Sequence, residues 1–333
     1  MVATAPQAGA SARVGKFSIA SGRRPAPGRF VIFGVGSVGK TTLAGGAPRP
    51  LFLSAEAGDD ELDVDRIVFD DQTGRVQPRT FDEVMDAVSA VAAGDGPHQT
   101  LVVDGAGAID ALIQEHVVRK NPKWSTIQTP GFGQGEAAVL DVWRSFVARL
   151  EDVRVRRRMR VILIGHSQIT KFKNPEGAEF DRYQLAVTTH PKGDVAGFLF
   201  GWADLVGFYR FETLTAMEGK RAIGIGEGAR ILHLQRSNAF DAKCRYRGLP
   251  SSIQVPAERP WAALQKAIDD GGQPSQLRAE VARLMADVDE TTRAKVEGWL
   301  ATVGDNTAAL AEGIDKLRSK LRMDGATSAG GDA

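Results

Sequence analysis

Between Arg29 and Gly165 the chain alternates short apolar runs with stretches of helical period, and that alternation sets the expected fold class. The runs at 30–34, 50–54, 100–104 and 160–165 are apolar almost throughout, as strands covered on both faces must be. Residues 81–93 predict a helix between the second and third runs. In 137–157 the residues Leu140, Trp143, Phe146, Val147, Leu150 and Val153 return to one face, which predicts the clearest helix of the chain. Strands alternating with helices predict an α/β fold around a mainly parallel central sheet. Beyond Trp202 the pattern changes to strands and turns. Residues 205–211, 222–225 and 230–234 predict antiparallel strands at one sheet edge, with Gly226-Glu227-Gly228 as a turn. From about Pro256 the period is helical again. Leu310, Ile314, Leu317 and Leu321 make one apolar stripe, suited to packing on a neighbouring helix. The expected division is a flexible basic N-terminal segment at 1–28, a core at 29–255, a helical C-terminal appendage at 256–323 and a disordered small-residue tail at 324–333.

Composition narrows the class without choosing a function. A chain of 333 residues can hold one large α/β domain and a smaller appendage. Hydrophobic content of 43% and charge of 25% are those of an ordinary soluble protein. No apolar run reaches the length of a membrane span, and Met1–Pro27 lacks the apolar core of a signal peptide, so no membrane partner is expected. A single cysteine, Cys244, excludes an internal disulfide framework and fits a reducing cytoplasm. The net charge of +1 selects no partner, but its distribution is uneven. Residues 1–30 carry five cations and no acid, further basic clusters span 154–160 and 236–247, and 56–71 is acidic. Such patches permit nucleic-acid contact and equally describe solvated surface.

The chemistry concentrates after the first apolar run. Gly34, Val35, Gly36, Ser37, Val38, Gly39, Lys40 and Thr41 spell G-x-x-x-x-G-K-[ST], followed by Thr42, and the motif sits between a predicted strand and a predicted helix. Glycines let successive backbone N–H groups curl around anionic oxygens, so these residues are the expected nucleotide-binding set. Lys40 would reach the β- and γ-phosphates of ATP, and the Thr41 hydroxyl would ligate Mg²⁺. The third run ends in Asp104, the carboxylate a magnesium shell requires. The residue after it is Gly105, where many related ATPases carry a glutamate. Glu56 emerges at the carboxyl end of the second run, where open parallel sheets place their ligands, and is the expected water-orienting base. His166 follows the fourth run and is placed to sense the γ-phosphate, or else is a structural histidine.

The phosphate loop, Glu56, Asp104 and His166, in that order and spacing, resemble the RecA-like ATPase core. More narrowly the chain resembles phage-type ATP-binding proteins related to RecA and RadA, including Sak-type single-strand annealing ATPases. The phrases 39–44, 51–56, 102–104, 162–166, 171–177 and 241–246 carry that resemblance over roughly residues 14–268. It implies a RecA-like P-loop NTPase acting on single-stranded DNA in recombination or annealing, in a bacterial or phage-infected host cytoplasm. It also implies two DNA-contacting loops, here 119–136 and 169–195. The first offers Arg119, Lys120, Lys123, Trp124 and a Gly131-Phe132-Gly133 hinge; the second offers Lys171, Phe172, Lys173, Arg182, Tyr183 and Lys192. Cations interleaved with rings suit a single strand, because cations track phosphates and rings stack on bases. Lys243-Cys244-Arg245-Tyr246 resembles a RadA-like phrase whose cations act on a neighbouring subunit's nucleotide. Carried over, Lys243 and Arg245 are trans-acting fingers in a homo-oligomer, a ring or a filament, with Arg247 as a third candidate cation. Three roles fit the C-terminal helices: contact with a single-strand-binding protein, capping of the subunit, or assembly. The competing readings are a nucleotide-dependent regulatory or assembly module that does not touch DNA, a small-molecule or nucleoside kinase, and a helicase or packaging motor on the same core.

Overall fold

The computed structural model describes residues 13–14, 16–18, 26–175, 177–218, 221–246, 248–270, 274–304 and 307–328. A pair of two-residue strands, β1 (Arg13–Val14) and β2 (Phe17–Ser18), precedes the core, and most of the N-terminal segment read as flexible lies outside the described residues. The core begins with β3 (Arg29–Gly34), and helix α1 (Lys40–Gly45) follows the glycine loop. Next come β4 (Pro50–Ser54), β5 (Asp65–Arg66) and α2 (Phe81–Ala93). β6 (Thr100–Asp104), α3 (Ala106–Lys120) and α4 (Gln134–Arg156) complete the first half.

β7 (Arg160–Phe172) runs seven residues past its expected end at 165, because β8 (Phe180–Leu185) folds back along the overhang in antiparallel register. The segment 169–195, expected as an irregular loop, is therefore a two-stranded arm leading into α5 (Val195–Trp202). β9 (Leu205–Glu218) corrects a second expectation. Its first residues pair parallel with β3, Phe30 beside Leu205 and Gly34 beside Tyr209, while its antiparallel partner is β10 (Arg221–His233). Gly226-Glu227-Gly228 is not a turn but part of β10, between two register shifts. Gly228 fits there because a methyl group on it would lie 2.4 Å from the Glu212 carbonyl oxygen. β11 (Lys243–Cys244) pairs with β9, and β12 (Ser252–Gln254) pairs with β10.

The sheet order is β12-β10-β9-β3-β7-β6-β4-β5, with β7 inserted between the phosphate-loop strand and the Asp104 strand. The fold is thus mixed α/β, with a mostly parallel central sheet and antiparallel strands at one edge. Alternate side chains of β3 feed opposite faces, as pleating requires. Phe30 and Ile32 pack with Leu43, Trp261 and Leu264, whereas Val31 and Phe33 pack with Ile109, Trp143 and Phe146. Trp261 belongs to α6 (Pro260–Asp270), which completes the core on the α1 face. Helices α7 (Pro274–Met285), α8 (Glu290–Val303) and α9 (Thr307–Ser328) share a separate apolar cluster. The stripe of Leu310, Ile314 and Leu317 is buried there against Leu277 and Val281. α9 continues to Ser328 through part of the expected tail, and residues 329–333 lie outside the described residues.

Candidate functional site

At the carboxyl end of β3 the backbone must turn sharply back toward α1, and the residue types there permit it. Gly34 has no room for a side chain, since a methyl group would lie 1.8 Å from the Tyr209 carbonyl oxygen. Gly39 adopts φ +92°, a left-handed conformation that glycine accepts at little cost. Lys40 is buried, and its ammonium donates to the carbonyls of Gly34 (3.2 Å) and Val35 (2.7 Å). Burial lowers its pKa, against the raising influence of Asp104 and Glu56. The lysine therefore spans its own loop, placed to exchange carbonyl partners for phosphate oxygens.

Thr41 Oγ1 donates to Asp104 Oδ2 at 2.7 Å, so the strand carboxylate and the loop hydroxyl stand side by side. Burial pushes the Asp104 carboxyl up to about 6, helped by Glu56 and Asp59 and opposed by the Thr41 hydrogen bond and Lys40. A buried carboxylate that holds a proton this readily is one that gains from a cation. Two adjacent oxygen donors fit Mg²⁺, which takes few protein ligands and fills its shell with water and phosphate.

The opposite wall is built from the end of β4. Ser54 Oγ and Arg66 Nε both donate to the buried Asp59 (2.7 and 2.8 Å), which fixes the turn carrying Glu56. The Glu56 N–H donates to the Asp104 carbonyl at 3.1 Å. Its side chain accepts from the Ala108 N–H at 3.3 Å through Oε1, and Oε2 lies 3.3 Å from His166 Nε2. His166 sits beside Gly34 in the β3–β7 register, so it touches both the loop and the glutamate. A methyl group on Gly105 would lie 2.5 Å from Glu56 Oε1 and 2.6 Å from Cδ. Glu56 fills the space a side chain at 105 would need, which gives Gly105 a physical reason that its sequence position alone could not.

The expected DNA-contacting residues divide. Lys120, the last residue of α3, and Lys123 just beyond it are exposed, while the half-buried Trp124 packs against the main core. Gly131, Phe132 and Gly133 all have positive φ (70°, 51° and 70°), and Phe132 is 85% exposed, an apolar tip the candidate set omitted. In the arm, Lys171 and Lys173 are exposed, as is Lys192 ahead of α5, and Phe172 packs against Phe180 with ring centres 5.2 Å apart. Arg182 and Tyr183 do not stand free. Arg182 is 6% exposed, ion-paired to Asp241 and laid over Phe172, and Tyr183 stacks on Phe208 at 5.1 Å. Arg182 is held by Asp241 and the Phe240 carbonyl, and Tyr183, on the other face of β8, covers Phe208. Lys171, Phe172, Lys173 and Arg182 nevertheless line one cavity of about 820 Å³ between the arm and α5.

Lys243 and Arg245 lie at the far end of the sheet. Cys244 pairs with Leu205, which pairs with Phe30, four residues before Gly34. At strand rise that separation is roughly 13 Å. Lys243 Nζ donates to the carbonyls of Phe200 (2.5 Å) and Gly201 (3.2 Å), and Arg245 pairs with Asp204 at 3.1 Å. Neither lies at its own phosphate loop, and Arg247 is outside the described residues.

A family model described as an AAA domain (AAA_24) matches residues 26–246, which contain the loop, Glu56, Asp104, the arm and β11. Comparison with curated proteins found no match. Among solved structures the chain is similar to the crystal structure of the RadB recombinase, at 16% identity and a TM-score of 0.38, over 71% of this chain and 90% of that one.

Proposed function

The chain belongs to the AAA domain family, and from that premise we propose that it is a RecA-like, Mg²⁺-dependent ATPase acting on single-stranded DNA in recombination or annealing, of the phage type. One observation carries the DNA reading: β7 is a single strand that holds His166 against Glu56 and, five residues on, presents Lys171 at the arm cavity. A change at the γ-phosphate side thereby has a stiff route to the cations expected to grip phosphates.

In this reading the loop N–H groups and Lys40 bind the phosphates. Mg²⁺, held by Thr41 and Asp104, would neutralise charge across the β- and γ-phosphates. Glu56, fixed by the Ala108 N–H, orients the attacking water and accepts its proton. His166 registers the state of Glu56 and passes it along β7. Lys243 and Arg245 act on a neighbouring subunit's nucleotide, since their own loop lies at the other end of the sheet. The reading therefore includes a homo-oligomer, ring or filament. The helices α7–α9 remain free to serve it or a single-strand-binding protein.

The test is steady-state ATP hydrolysis with and without single-stranded DNA at low and moderate salt. Stimulation that fades with salt supports the reading. Hydrolysis indifferent to DNA would sink the DNA half and favour a regulatory or assembly ATPase, a reading that the burial of Arg182 and the packing of Tyr183 on Phe208 already support. Lys40→Ala should abolish nucleotide binding, whereas Glu56→Gln should keep it and lose turnover.

A further inference from the structure

The phosphate loop has a second cation beside it that no motif announces. Arg230 lies on β10, two strands away from β3 in the sheet. Its guanidinium nonetheless reaches back over the loop: a methyl group on Gly39 would lie 3.7 Å from Nη1 and 4.0 Å from Cζ, and 3.9 Å from Thr42 Oγ1. The approach is built rather than accidental. The Arg230 carbonyl accepts from the Val255 N–H at 2.8 Å, and the guanidinium rests over the Phe211 ring with Cζ 5.9 Å from its centre. Among the described residues no carboxylate pairs with Arg230. A half-buried guanidinium with an apolar plate beneath it and no acid is a site awaiting an anion.

The sheet order says which part of the anion. Asp104 and Glu56 come from β6 and β4, on one side of β3, and mark the γ-phosphate end. β9 and β10 lie on the other side, so a nucleotide on this loop directs its nucleoside end toward them. Lys40 and Thr41 serve the β- and γ-phosphates; Thr42, whose hydroxyl and the Arg230 guanidinium both come within 4 Å of the same point over Gly39, is one step further from them. We propose that Arg230 is a nucleotide-binding residue that grips the α-phosphate of a nucleoside 5′-di- or triphosphate, within the same subunit. The proposal rests on the phosphate-loop reading. It differs from a finger in trans, because residue and loop belong to one chain, and from a γ-phosphate sensor, because ADP engages it as fully as ATP.

Titration calorimetry with ADP and with ATP, both in a Glu56→Gln background to block turnover, tests this. Arg230→Ala is expected to weaken both nucleotides by the same factor, about tenfold, the loss of one charge-assisted contact. Arg230→Lys is expected to recover part of that loss, since it keeps charge without the fork. An unchanged apo unfolding midpoint in Arg230→Lys separates binding from folding. Weakening of ATP alone would move the residue to the γ-phosphate and overturn the proposal, as would equal binding by all three proteins. Failure of the Glu56→Gln parent to bind either nucleotide would instead overturn the phosphate-loop reading, and the proposal with it.

Discussion

Glu56 and Gly105 occupy one space between them, and that fact turns a glycine into a probe of the carboxylate proposed as the base. A methyl group 2.5 Å from Oε1 cannot be accommodated without moving the carboxylate. Because the clash is with the far end of a flexible side chain, the fold absorbs it at little cost, while the orientation of the water is lost. Gly105→Ala is expected to lower turnover about 10- to 100-fold with little change in unfolding midpoint, read by phosphate release and thermal melting. Full turnover in Gly105→Ala would detach Glu56 from the chemistry. A second residue speaks to pH. His233 packs against Phe240 with ring centres 4.5 Å apart, beside Phe208, and accepts from Arg210 Nε at 3.2 Å; burial, then the Arg210 charge, holds its pKa at about 4. The unfolded chain, with a histidine near 6.5, binds more protons between those values, so stability falls as pH drops through that window. The contribution reaches at most about 3 kcal/mol. His233→Phe is expected to flatten the stability curve between pH 6.5 and 4 in urea titrations; an unaltered slope would assign the acid sensitivity elsewhere. At this scale the sequence was readable where chemistry is local, as in the loop and Asp104. It was silent on Gly105 and Arg230, whose meaning lies in neighbours 49 and 191 residues away.

Elements whose burial is uniform announced themselves, and those whose partners are distant did not. β4 and β6 match their apolar runs at both ends, and α2 matches its period, because covered strands and amphipathic helices write their environment into their own residues. The overhang of β7 alternates exposed and half-buried positions and carries Lys171, so nothing local separated it from a loop. The parallel pairing of β9 depends on β3, some 175 residues earlier, and no window along the chain contains both. The join between these elements is Asp110 on α3. One oxygen accepts from Trp143 Nε1 of α4 (2.7 Å), and the other from the N–H (2.9 Å) and hydroxyl (2.7 Å) of Thr188, where the arm re-enters the core. Asp110→Ala strands these buried donors and is expected to cost about 3 kcal/mol. Urea unfolding measures that. A loss within error of zero would mean that water replaces the carboxylate and that the arm does not depend on it.

The whole molecule divides at the end of α6, later than the change to helical period near Pro256 implies. Trp261 stacks on Phe30 with ring centres 6.1 Å apart, lies under the Arg160 guanidinium and blocks any side chain at Gly46, so α6 is a wall of the ATPase core. α7–α9 instead bury Leu277, Val281, Leu284, Leu310 and Ile314 among themselves. Their link to the core includes Arg318, which donates to the Leu249 carbonyl at 3.1 Å and pairs with Glu280 of α7 at 2.8 Å. These contacts are polar, whereas those of α6 are apolar and central. A chain ending at Asp270 is therefore expected to unfold cooperatively and to bind ADP as the full chain does. One ending at Glu258 loses Trp261 and Leu264 from the phosphate-loop face, and removal of a buried tryptophan alone costs about 3–5 kcal/mol. That shorter chain is expected to lose both cooperative unfolding and ADP binding. If the chain ending at Asp270 also fails to fold, the helical appendage is an obligatory part of the core. If it folds and binds ADP but no longer assembles in sedimentation, α7–α9 are the element through which subunits meet.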